Sequence, residues 1–97
     1  MAGARQLELF DDERRARRAF GRQRCRARER RLAFAFSFAE WWRWWQADGR
    51  WARRGRGGDR LVMARLGDAG GYEPGNVYAA TFGDNARFSR PQLRLDV

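Results

Sequence analysis

The segment Leu61–Asn85, LVMARLGDAGGYEPGNVYAATFGDN, decides the fold. "LVMARL" has the composition of a strand, and "NVYAAT" that of a second one. Between them "GDAGGYEPG" gathers glycine, proline and aspartate into a turn-rich loop. Thr81 stands where it caps a helix through "FGDNARFS", although Gly83 weakens that helix. The order is therefore strand, loop, strand, helix. Pro91 closes the regular structure, and "QLRLDV" reads as a short tail.

Upstream lies "RLAFAFSFAEWWRWWQADG". Leu32, Phe34 and Phe36 alternate with small residues, a strand-like period. Ser37 followed by Glu40 reads as a capping box. The helix it opens holds Phe38, Trp41, Trp42 and Trp45 on one face. Gly49 fits its stop position. This aromatic face is expected to form the core by packing on the hairpin. Trp44 falls off the face and Trp51 lies beyond the helix. Both are candidates for exposed base stacking.

Before this helix, "DDERRARRAFGRQRCRARERR" reads as a basic helical arm. Asp11 or Asp12 suits its cap, with Glu13 in the first turn. Ala16, Ala19, Phe20 and Ala27 make a thin apolar stripe that Gly21 interrupts. Ten arginines against four acids lie between Asp11 and Arg31, which is six of the nine net positive charges. The preceding "LELF" is an apolar patch that docks or frays. The expected organisation is a basic arm over residues 1–31, an α+β core over 32–90 and a tail over 91–97.

All 21 basic residues are arginine and 12 residues are acidic, so the net charge is +9. A coding bias towards arginine explains the missing lysine but not the excess over acids. Such an excess on a 97-residue chain points to a polyanionic partner. The connector "RWARRGRGGDR" concentrates it: Arg50, Arg53, Arg54, Arg56 and Arg60 surround three glycines that allow close backbone approach. Guanidinium forks match phosphate oxygens. The single Cys25 forms no internal disulfide, and with no histidine a Cys/His zinc site is excluded. No apolar run is long enough for a bilayer, and the N-terminus lacks the apolar core of a signal peptide. A cytoplasmic protein is the expectation.

"VMARLGDAGGYEPGNVYAATFGDN" resembles the core of HNH-type (His-Me finger) endonucleases. "FSFAEWWRWWQADGRWARRGRG" is similar to the region upstream of such cores in small phage and prophage proteins. The resemblance spans roughly residues 36–88. It implies that Asn76 pins the loop between the strands by bonding to its backbone. It also implies that Asn85 is the helix asparagine, and that Gly71 and Tyr72 form a "GY" pair with Tyr72 packed under the loop. The chain departs from the family where chemistry is concerned. Arg65 stands at the position of the general-base histidine, and Ala64 at that of the metal-binding acid. A general base must accept a proton near neutral pH, which arginine does not do. Alanine offers no oxygen to a hard cation. Asp68 and Asp84 are the remaining weak candidates for a metal.

The resulting expectation is a nucleic-acid-binding protein without ordinary catalysis and without a cofactor, gripping duplex DNA by its backbone. Arg53, Arg54, Arg56, Arg60, Arg65 and Arg87 are the expected phosphate contacts, with the N-terminal arginines extending the footprint. Two alternatives stay open. One is a metal-dependent nuclease using Mg2+ or Mn2+ on Asp68 or Asp84. The other is a phage-encoded inhibitor that binds a host protein or ribonucleoprotein defence complex.

Overall fold

The computed structural model describes residues 2–89, with side chains over residues 10–86. The expected tail over 91–97 lies outside the described residues. The architecture is α+β. Helix α1 (Ala2–Glu29) is followed by α2 (Phe38–Gln46) and the single turn α3 (Arg50–Arg53). Strands β1 (Leu61–Arg65) and β2 (Val77–Thr81) then form a hairpin, and α4 (Phe82–Ser89) completes the chain. The strands are antiparallel in a register running from Leu61↔Thr81 to Arg65↔Val77. No helix among the described residues is long and apolar enough to cross a membrane.

Helix α1 differs from the expectation at both of its marked positions. It begins at Ala2, so Asp11 and Asp12 lie inside it rather than at its cap. It also runs through Gly21 without a break. The reason is tertiary. Ala16 and Ala19 belong to the same buried cluster as Phe36, Trp41, Trp45, Leu61 and Met63, and Ala27 beyond the glycine is buried as well, so packing fixes the helix on both sides. A β-carbon built at Gly21 meets nothing within 4 Å. Glycine in a helix interior costs about 0.5–1 kcal/mol relative to alanine. Gly21→Ala is therefore expected to raise stability by about that amount in urea denaturation; a lowered midpoint would contradict an unstrained helix at this point.

Helix α2 starts by reciprocal capping. The Ser37 hydroxyl accepts from the Glu40 backbone N–H at 3.1 Å, and the Glu40 carboxylate accepts from the Ser37 backbone N–H at 2.9 Å. The Ser37 bonds hold the Glu40 carboxyl below the ordinary carboxylate range. This support is complete above the ordinary range and is lost as pH falls through the depressed value. The helix ends at Gln46, and Asp48 and Gly49 turn the chain through the left-handed region before α3.

Trp41 and Trp45 are the largest fully buried side chains, at 0% and 2% exposure. Their burial contributes on the order of 4 kcal/mol each before the entropy of ordering is counted. Trp44 and Trp51 are not free stacking platforms. Trp51 meets Trp42 edge-on at 4.9 Å, and Trp44 meets Trp45 edge-on at 4.8 Å. The turn at Asp48–Gly49 folds Trp51 back onto the α2 face, which helical spacing alone does not reveal.

The segment after α1 does not form a regular strand. Phe34 makes one isolated bridge to Tyr72, with Tyr72 N–H donating to the Ala33 carbonyl at 2.9 Å and Ala35 N–H to the Tyr72 carbonyl at 2.8 Å. This crossing requires Gly71. An added β-carbon there would lie 2.7 Å from the Ala33 β-carbon and 2.8 Å from its carbonyl oxygen. At α4, the Asp84 N–H donates to the Thr81 hydroxyl at 3.2 Å. Gly83 lets α4 approach the connector, its N–H donating to the Gly58 carbonyl at 3.0 Å.

Candidate nucleic-acid interface

The arginines of α1 divide by helical position. Ala16, Ala19 and Phe20 of the apolar stripe pack in the aromatic core, and Ala27 is buried too. On one flank Arg17 lies over the Phe38 ring at 4.2 Å and Arg24 over the Phe20 ring at 5.6 Å. On the other flank Arg22, Arg26 and Arg30 project into a cleft of about 640 Å3. Across it stand Arg54 and Arg56 of the connector, with Asn85 of α4 also in the wall. Trp45 and Met63 contribute to an apolar floor, and Glu29 is the one acid in the lining.

Arg54 is the centre of this arrangement. Its side chain is half-buried, with the guanidinium 5.3 Å from the Trp45 ring centre and 5.5 Å from that of Trp51. Burial, and then the charges of Arg22, Arg56 and Arg26, hold its pKa below the ordinary arginine value. Arginine remains protonated throughout the physiological range all the same. Among the described residues no ion pair includes Arg22, Arg26, Arg54 or Arg56; the pairs present involve Arg15, Arg17, Arg50 and Arg65. Gathering unneutralised charge of one sign in a concave, partly apolar site raises the free energy of the empty site and favours an anion in it.

Of the five expected phosphate contacts whose side chains are described, Arg54 and Arg56 line this cleft. Arg53 is exposed and stands outside the lining. Arg60 donates to the Ala52 carbonyl at 3.0 Å and lies along Gly55 and Gly57, which folds the connector. The Arg87 side chain lies outside the described residues. The four-residue spacing of Arg22 and Arg26 on α1, continued by Arg30 just past its end, is the sequence signal for a shared face.

Arg65 requires a correction. It is 8% exposed and does not face solvent as a phosphate ligand would. Its guanidinium donates to the Gly70 carbonyl at 2.7 Å and to the Asp68 carboxylate at 2.8 Å, 5.7 Å from the Tyr72 ring centre. The backbone after β1 explains this: Gly67, Asp68 and Gly70 all adopt positive φ, which curls the loop back over the strand end and delivers both acceptors to the guanidinium. The Asn76 amide closes the same loop from the other side, donating to the Ala69 and Gly71 carbonyls at 2.9 and 2.8 Å.

Asp68 and Asp84 occupy opposite ends of the hairpin, Asp68 beyond the Arg65↔Val77 pair and Asp84 beyond the Leu61↔Thr81 pair. Five-residue strands separate those ends by about 13 Å. The two carboxylates therefore do not contribute to one metal site in this fold. The Asp68 carboxylate is already bonded to a cation, Arg65. No protein-family model matches the chain, and no match was found among curated proteins or solved structures.

Proposed function

We propose that the chain binds nucleic acid through the sugar-phosphate backbone, on a histidine-free hairpin-and-helix scaffold of HNH-like character that holds the polymer without hydrolysing it. The observation that supports this reading is the convergence of Arg22, Arg26, Arg54 and Arg56 on one cleft with no carboxylate paired to any of them among the described residues. Guanidiniums in this setting complement phosphates, which position a polymer without reading its sequence. The position that resembles a general-base site holds Arg65, tied into its own loop, so neither the proton acceptor nor an open cation for the scissile phosphate stands there.

The test is salt dependence. Four phosphate contacts predict that log K falls against log salt with a slope of about −3 for a single strand and slightly steeper for a duplex. An affinity that barely changes between low and moderate salt would remove the reading. Incubation of supercoiled plasmid with Mg2+ or Mn2+ belongs beside it. Nicking that vanishes in Asp68→Ala or Asp84→Ala would replace holding by cutting.

A further inference from the structure

The shape of the cleft narrows the class of polymer. Backbone contacts to a duplex are made on the outside of a broad convex cylinder, which suits flat or gently curved basic surfaces. Here the guanidiniums come from two separate segments that line one cleft, Arg22 and Arg26 from α1 and Arg54 and Arg56 from the connector, and the half-buried rings of Tyr72 and Phe82 lie in the same lining. A chain lying between them is flanked by cations on both sides, and a base turned inward meets apolar surface. That combination, a charged groove tracking the backbone with aromatic and apolar surface for bases, characterises single-strand binding.

One further observation points to an occupant. Asn85, in the α4 wall, offers an amide that both donates and accepts and makes no side-chain hydrogen bond among the described residues.

We propose that this cleft takes one single strand of nucleic acid, its phosphates held between Arg22 and Arg26 on one side and Arg54 and Arg56 on the other, with a base turned towards the floor and the Asn85 amide. The inference rests on the nucleic-acid reading above and goes beyond it, because charge alone favours the duplex, whose phosphates are denser. A preference for the single strand has to come from the cleft.

The experiment uses the full chain and fluorescence anisotropy with three probes: an oligothymidylate of about 12 nucleotides, the ribo-oligomer of the same length, and a blunt duplex of that length. Pyrophosphate serves as competitor. The expected result is single-strand affinity at least about tenfold above that of the duplex, with weak displacement by pyrophosphate at equal phosphate concentration. Asn85→Ala is expected to lower single-strand affinity several-fold at unchanged salt slope, and Arg26→Gln to make the slope shallower by about 0.7. Circular-dichroism melts show that both variants are folded. Equal or tighter duplex binding overturns the inference and leaves the nucleic-acid reading standing. Full displacement by pyrophosphate reduces the cleft to a simple anion site and overturns it as well. Binding to none of the three probes overturns both.

Discussion

Replacing Arg54 by glutamine is expected to weaken nucleic-acid binding by about tenfold to a hundredfold, the loss of one charge-assisted contact in a partly desolvated site. The side chain sits over Trp45 and Trp51 and faces Arg22, Arg26 and Arg56. Substitution removes cation–π attraction of about 0.5–1 kcal/mol, and relieves like-charge repulsion that acts in the opposite direction. The free protein is thus expected to melt within a few degrees of the parent while its affinity collapses. Arg53→Gln is the matched comparison. Arg53 is exposed, lies next to Arg54 and is absent from the cleft, so its replacement changes affinity by no more than about twofold, as for a screened surface charge. Equal losses for the two variants in the same anisotropy titration would mean that summed charge, and not the cleft, does the binding.

Arg65→Met is expected to show the reverse pattern, costing about 2 kcal/mol of stability while leaving the affinity of the folded protein and its salt slope unchanged. The substitution takes away donors to the Gly70 carbonyl and the Asp68 carboxylate. A lost partner of a fully buried ion pair costs several kcal/mol. The figure is smaller here because the Asp68 side chain is 36% exposed and regains water. Urea denaturation reads the first quantity, and anisotropy well below the unfolding midpoint reads the second. A stable Arg65→Met protein with affinity reduced as far as Arg54→Gln would show that this side chain leaves the loop to meet phosphate.

These two arginines also mark what is legible in the chain and what is not. The capping box at Ser37 and Glu40, the aromatic face of α2 and the strand–loop–strand–helix order are local patterns, and the structure has each of them in place. The extent of α1 is not local. Gly21 looks like an interruption, but the buried Ala16, Ala19 and Ala27 on either side hold the helix straight through it. Trp51 looks like an exposed ring because the left-handed turn at Asp48 and Gly49 cannot be read from helix periodicity. Arg54 lies in an arginine-rich connector and Arg65 in a strand with no other arginine, yet residue type alone gives no sign that one faces a cleft and the other is bonded inward. What separates them is where the positive-φ residues Gly67, Asp68 and Gly70 place two oxygen acceptors, and composition does not encode that. The cleft itself is assembled from α1 and the connector, more than twenty residues apart in the chain, so only the four-residue spacing of Arg22, Arg26 and Arg30 hints at one of its walls.

The alanines of α1 have a consequence for the gap between the two arginine walls. Ala16, Ala19 and Ala27 are each at most 1% exposed, and Ala19 and Ala27 also border the cleft. The short side chains of Ala16 and Ala19 seat the helix against the tryptophan cluster, and that seating bears on how far Arg22 and Arg26 stand from Arg54 and Arg56. A bulkier residue at either is expected to lever the helix outward and widen the slot without changing a single charge. On the proposed reading, the caliper that decides what fits between the guanidiniums is cut in the hydrophobic interior, and drift in those small side chains is expected to change ligand preference while the basic surface stays the same.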